Sequence, residues 1–170
     1  EKIGAVCGEC KALDVILAED STKLAKVWKM RRSIGEAVKG LSAYREEDCV
    51  VPRARLPELM TAIREVCAQH GLTAMSYGHI GDGNVHVNIL KLQLSDAEWR
   101  ERIEAATKDL FTRTVAMGGM ISGEHGIGFV QKNYLGLALS PDVISLMRQI
   151  KSVFDPNGIL NPGKVFPDSK

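Results

Sequence analysis

Apolar positions along the chain follow two periods, one helical and one of strand type. From Asp20 or Ser21 to about Lys39 they fall at Leu24, Val27, Trp28, Met30, Ile34 and Val38, the spacing of one helix face, and Gly40 ends the run. A second helix is expected from Leu56 to His70, with Pro57 in its first turn and Gly71 just past its end. A third runs from Ser95 to about Met117, opened by Ser95 and Glu98 in a capping-box spacing and stopped by Gly118-Gly119. The last runs from Pro141 to Phe154, with Val143, Leu146, Met147, Ile150 and Phe154 on one face. Glu1 to about Cys10 reads as the tail of a helix, and the stretch from Glu124 to Leu139 as a glycine-punctuated short helix. Strands are expected at Val15–Ala18 (buried), Cys49–Val51, Thr73–His79, Val85–Leu90 and, briefly, Met120–Ser122. From Asp155 onward the residues are those of turns. Strands and helices mix without a strict βα repeat, so the expected class is α+β, helices packed on a mostly antiparallel sheet.

The segment from Tyr77 to Asn88 carries the most chemistry. Asp82-Gly83 is a two-residue hairpin signal, because both residues tolerate positive φ. Centring the turn there sets His79 opposite His86 and Ile80 opposite Val85. The period of two then places Tyr77, His79, His86 and Asn88 on one face, and Ile80, Val85, Val87 and Ile89 on the other. The paired imidazoles read in two ways, as polar residues satisfied at a sheet surface or as ligands of Zn, Mn, Fe or a similar ion.

Further on, Ser122-Gly-Glu-His-Gly-Ile-Gly128 sets glycines close around Glu124 and His125. By itself this is a glycine-rich helix entry with Glu124 near the positive end of the helix. Beside two histidines, Glu124 completes a three-ligand site with an open position, and His125 is free to act as a general acid or base. The glycine order G-x-x-G-x-G is not a dinucleotide fingerprint. Arg31 and Arg32 are adjacent on the first long helix and diverge by about a third of a turn. Composition alone makes them a solvated basic face, while an Arg fork also matches a substrate carboxylate in bidentate geometry.

Composition narrows the function classes. The 170 residues suit one domain or two small ones, and 45% hydrophobic with 25% charged residues is ordinary globular usage. Lys plus Arg is 22 against 21 for Asp plus Glu, a net charge of +1, which argues against a nucleic-acid binder or a polybasic membrane anchor. Aromatics are only 5%, too few for a single-strand stacking platform. No apolar run reaches the roughly 18 residues of a membrane span, and the charged N-terminal residues do not read as a signal peptide. Cys7, Cys10, Cys49 and Cys67 are too few and too irregular for a disulfide scaffold, and Cys7-x-x-Cys10 reads as incidental rather than as a metal or redox pair.

Three motifs together, Gly78-His-Ile-Gly-Asp-Gly-Asn-Val-His86, Ser122-Gly-Glu-His-Gly-Ile-Gly128 and Phe154-Asp-Pro-Asn-Gly-Ile-Leu-Asn-Pro-Gly-Lys164, resemble the C-terminal domain of FAD-linked oxidases. That family includes D-lactate dehydrogenases, D-2-hydroxyglutarate dehydrogenase and the flavin subunit of glycolate oxidase, and the likeness covers nearly all of the chain. The resemblance implies a ferredoxin-like α+β substrate domain over residues 1–170. It would cover a flavin held mainly by a separate N-terminal domain absent from this sequence, so the piece alone is expected to be inactive. A start at Glu1 fits a truncated piece. The resemblance further implies that His79, His86 and Glu124 are metal ligands, His125 the catalytic base, Asn88 a substrate contact, Arg31 the carboxylate-binding arginine and Asn161 a flavin-side residue.

Relatives that take a second substrate carboxylate are expected to have Lys near the position of Glu46, so Glu46 points to a short monocarboxylate such as glycolate or D-lactate. Implied cofactors are FAD and a divalent metal (Zn, Mn or Fe). Implied partners are a small 2-hydroxy acid, the FAD-binding domain and an iron–sulfur subunit. The expected place is the cytoplasm, or the periphery of the inner membrane. Two rivals remain open at this point: a ligand-binding α+β module without chemistry, and a metal-dependent hydrolase using two His and a Glu.

Overall fold

The computed structural model describes residues 2–168, and the chain divides into two compact units, Glu1–Gly40 and Leu41–Lys170. The first unit holds two helices, α1 (Lys2–Glu9) and α2 (Ser21–Lys39). Glu1 lies outside the described residues. Asp20 caps α2, its carboxylate accepting the Lys23 N–H at 2.8 Å. The expected strand at Val15–Ala18 does not form: the segment has no regular structure and is exposed, Ile16 at 80%. A strand needs a partner for its backbone donors and acceptors, and both elements of this unit are helices. A four-residue apolar run carries no period that distinguishes a strand from a linker.

The second unit is built on a three-stranded antiparallel sheet of β1 (Tyr44–Val50), β2 (Thr73–His79) and β3 (Asn84–Leu90), in the order β1-β3-β2. Helices α3 (Leu56–Gln69) and α4 (Asp96–Ala116) join the core formed with the sheet. Val85, Val87 and Ile89 of β3 meet Leu59, Ile63 and Val66 of α3 and Ile103, Leu110 and Phe111 of α4 in this core. Fully burying such a side chain contributes roughly 1.5–3 kcal/mol. Central β3 is buried along its whole length, which leaves Asn84, His86 and Asn88 buried as well. The Ser95–Glu98 capping box opens α4 as the spacing predicts. Helix α5 (Leu135–Ala138) follows a 3-10 turn at Lys132–Tyr134, so the glycine-punctuated stretch is helical only at its end. Helix α6 (Pro141–Phe154) keeps the predicted apolar face but has no buried residue.

Two expectations about the sheet need correction. First, β1 begins at Tyr44 rather than at Cys49, and Arg45–Asp48 lie inside it. Polar residues hid that part of the strand. Glu47 is 0% exposed, paired with Arg45 at 2.6 Å and accepting from Thr107 Oγ1 and Gln131 Nε2. Buried charge held by such partners reads in sequence as a solvated loop. Second, the hairpin pairs His79 with Asn84 and Tyr77 with His86, so the turn is the four residues Ile80–Gly83 rather than Asp82-Gly83 alone. The His79 carbonyl accepts both the Asp82 and the Gly83 N–H, at 2.9 and 3.1 Å. The register is thus displaced by two residues, an even step that keeps every side chain on its expected face. Ile80 is the exception: it lies in the turn, 82% exposed, and not in the core.

The expected strand at Met120–Ser122 is reduced to two bridges, Val50 with Met120 (antiparallel) and Asp48 with Ser122 (parallel). They set the segment beside β1, on the side away from β3. No helix among the described residues is long and apolar enough to cross a membrane.

Candidate metal and substrate site

The open face of the sheet gathers the site. From β3 comes His86, with Asp48 of β1 directly across from it and Tyr77 of β2 on its other side. His79 ends β2, and its ring centroid lies 5.4 Å from that of His86. The segment after Ser122 brings His125 onto the same imidazole, the two rings stacked at 4.9 Å and 13°. Between them reaches Glu124: its Oε1 is 3.1 Å from His86 Nε2, 3.5 Å from His79 Nε2 and 3.9 Å from His125 Nε2. His86 is buried, His79 is partly open and Glu124 and His125 are more so, which leaves the cluster approachable from one side.

Asp48 is the residue that sequence reasoning missed. Its Oδ2 accepts three consecutive backbone N–H groups, from Gly123 at 2.8 Å, Glu124 at 2.7 Å and His125 at 2.7 Å, together with the Ser122 hydroxyl. Its Oδ1 accepts from Asn84 Nδ2 at 2.6 Å and lies 3.6 Å from His86 Nδ1. Burial by itself would raise this carboxyl. The His125 N–H, the Asn84 amide, the Glu124 N–H and the charge of His125 outweigh it and hold the group at about 2. The only sequence signal was a third consecutive acid in Glu46-Glu47-Asp48, and once the strand is drawn from Cys49 those acids read as loop.

Stability should follow that carboxyl. Its pKa is about 2 in the fold against an ordinary 3.8, so its contribution is complete above pH 3.8 and disappears as pH falls through 2. A shift of that size corresponds to about 2 kcal/mol. Urea midpoints measured from pH 5 down to pH 2 should fall for the wild type by this extra amount, and Asp48→Asn should lack it. Parallel curves for the two proteins would contradict the assignment.

The donor set fits a divalent ion. One Glu124 carboxylate oxygen stands 3.1 Å from His86 Nε2 and 3.5 Å from His79 Nε2. Ligand atoms about 2.1 Å from a tetrahedral ion lie about 3.4 Å apart, so the spacing suits an ion between them. Asp48, His86, Glu124 and His125 also offer one donor atom each, all within 4.8 Å of one another. Of these four, Asp48 has its Oδ2 engaged by backbone donors, and His79 stands outside the group although its Nε2 is 3.5 Å from Glu124 Oε1.

The other expected site residues are placed as follows. Asn88 lies two residues beyond His86 on the same face, 1% exposed, donating weakly to the Met75 carbonyl while its Oδ1 is buried without a hydrogen-bond partner among the described residues. Glu46 stands across from Asn88 and lines, with Tyr44 and His125, a cavity of about 540 Å³. Asn161 is exposed in the tail after α6, with φ at +49°. Arg31 lies on α2 in the first unit, its guanidinium 5.5 Å over the Trp28 ring.

Sequence comparison gives this geometry a context. The chain is 34% identical over 166 residues to a D-lactate dehydrogenase of Anaerostipes hadrus, covering 97% of this chain and 35% of that protein. It is 34% identical over 167 residues to the glycolate oxidase subunit GlcD of Bacillus subtilis, covering 98% and 35%. It is 36% identical over 157 residues to a D-2-hydroxyglutarate dehydrogenase of Stutzerimonas stutzeri, covering 91% and 34%. The chain therefore spans about a third of the length of these relatives. Residues 1–165 match the family model for the C-terminal domain of FAD linked oxidases. With that match running through both histidine motifs and the tail, the chain belongs to the FAD-linked oxidase C-terminal domain family.

Proposed function

We propose that this chain is the substrate-binding and metal-binding part of an FAD-dependent 2-hydroxy-acid dehydrogenase or oxidase that takes glycolate or D-lactate. The observation that carries the reading is the meeting of His79, His86 and Glu124 at one carboxylate oxygen with His125 alongside. A ferredoxin-like sheet is part of the proposal. The order β1-β3-β2 supports it, as do the bridges that set Met120–Ser122 beside β1 like a fourth strand cut short. The hydrolase and the non-catalytic module draw no support from the family match.

His79, His86 and Glu124 would hold the ion. When bound, a divalent ion such as Zn, Mn or Fe supplies Lewis-acid polarisation of the substrate's hydroxyl and carboxylate, and FAD from the N-terminal domain supplies the two-electron acceptor for the hydrogen leaving C2. His125 takes the hydroxyl proton on Nε2, the nitrogen turned toward the ligand cluster. Arg31 binds the substrate carboxylate as a guanidinium fork. Asn88 offers its unpartnered Oδ1 to the substrate, and Asn161 belongs to the tail that meets the flavin. Glu46, lining the cavity beside His125, disfavours a second carboxylate by like-charge repulsion, which supports a short monocarboxylate. An iron–sulfur subunit is the proposed electron acceptor; the glycolate oxidase relative is itself named as one subunit of its enzyme. A cytoplasmic place, or one at the periphery of the inner membrane, goes with this reading.

Elemental analysis of the full-length protein tests it. About one divalent ion per chain is expected in the wild type, with ion and turnover lost together in His79→Ala and His86→Ala. Turnover unchanged in both variants would end the metal role.

A further inference from the structure

We infer that Asp48 is a positioning residue for this site: it fixes the proton of His86 on Nδ1, so that Nε2 is bare toward Glu124, and the same carboxylate holds Glu124 and His125 in place. The inference builds on the proposed role of His86 as a ligand, but its first half is a statement about this chain alone. The polar atoms against the buried His86 Nδ1 are carboxylate oxygens, Asp48 Oδ1 at 3.6 Å and Glu46 Oε1 at 3.8 Å. A nitrogen facing two anions carries the proton, and the lone pair is left on Nε2, 3.1 Å from Glu124 Oε1. Nδ1 has no hydrogen bond at these distances. A small approach of Asp48 closes the contact, as outer carboxylates commonly do toward ligating histidines.

The two oxygens divide the work. Oδ2 is committed to the three backbone N–H groups that precede and carry the Glu124 and His125 side chains. Oδ1 faces Asn84 and His86. Asn84 locks the arrangement from the other side: a Cβ on Gly123 would stand 2.1 Å from Asn84 Nδ2, so the segment can run this close to Asn84 only with glycine there. One carboxylate thus couples the tautomer of a ligand on β3 to the placement of the ligand and the base on the following segment.

Asp48→Asn separates this role from simple support. The new amide keeps a carbonyl oxygen for the backbone donors, and Asn84 can turn its unpartnered Oδ1 to accept from the new NH2, so the fold is retained. That NH2 faces His86 Nδ1 from closer than the remaining Glu46 carboxylate at 3.8 Å and donates to it, which moves the imidazole proton to Nε2 and occupies the nitrogen that a metal needs. The experiment uses the full-length flavoprotein with nitrogen-15 histidine at about pH 8.5, above the ordinary histidine range. His86 signals are assigned by their loss in His86→Gln, and zinc is then titrated in.

Expected are an Nδ1–H tautomer in the wild type and an Nε2–H tautomer in Asp48→Asn, with zinc affinity lower in the variant by about 10- to 100-fold. Ser122→Ala, which removes one donor to Oδ2 and the acceptor of the Gly126 N–H but leaves both Asp48 oxygens in place, should leave the tautomer as in the wild type. An Nε2–H wild type, or a variant with unchanged tautomer and zinc affinity, overturns the inference and reduces Asp48 to a fastening of the loop. An Nδ1–H wild type that switches in the variant while neither protein binds zinc would uphold the positioning of His86 and overturn the metal reading instead.

Discussion

His125→Gln in the full-length protein should slow flavin reduction by 10²- to 10⁴-fold, the usual range for losing a positioned general base, which is the role proposed for His125. The substitution is chosen to touch little else. The backbone N–H of His125 that binds Asp48 is kept, so the segment carrying Glu124 stays where it is. The ring it removes is stacked on His86 at 4.9 Å, and glutamine fills part of that volume. Metal content and substrate KM should therefore change little while the rate constant falls. Rapid mixing of oxidised enzyme with D-lactate or glycolate reads the rate from flavin absorbance, and elemental analysis reads the ion. A fall in bound metal parallel to the fall in rate would make His125 a ligand and not the base.

Gly83→Ala should cost about 3–5 kcal/mol, at the upper end for a single substitution. Gly83 closes the hairpin at φ +78°, a conformation that costs roughly 1–2 kcal/mol for a residue with a side chain. The larger part is steric. A Cβ there would lie 2.0 Å from the Val51 carbonyl oxygen, a backbone atom that no rotamer change can move aside. The hairpin would have to swing away from the end of β1, giving up the Val51 N–H bond to the Gly83 carbonyl and drawing His79 off Glu124. Gly81→Ala two residues earlier has open space at its Cβ and should stay within about 0.5 kcal/mol of the wild type. Thermal unfolding of the two variants side by side decides it, and equal melting temperatures would refute the steric account.

That His79 and His86 share one face was legible in the sequence even though their pairing and the turn were not. The chain uses two more turn residues than Asp82-Gly83 suggests, because the His79 carbonyl collects two N–H groups across a four-residue loop. Strand side chains alternate, so an error of two residues leaves His79 and His86 on one face, where an error of one would have parted them. The helices were legible because their caps and apolar spacing are local. What stayed hidden was polar. Glu47 and Asp48 sit inside β1, and apart from Arg45 beside Glu47 their partners lie 36 to 84 positions away in sequence, Asn84 being the nearest of these and Gln131 the farthest. No pattern confined to a window of a dozen residues reports such pairings. Val15–Ala18 failed in the opposite sense, apolar in composition yet exposed.

The hold of Asp48 on the segment after Ser122 also bears on how this site can be re-engineered. Three of its contacts are to the main chain, which every amino acid except proline supplies equally. A library that randomises positions 124 and 125 therefore changes the proposed ligand and the proposed base without releasing the scaffold that aims them, provided proline is left out. Position 123 has no such freedom, because Asn84 leaves room for glycine alone. Selection for new metals or new proton-transfer groups has two open positions between one fixed glycine and one fixed aspartate.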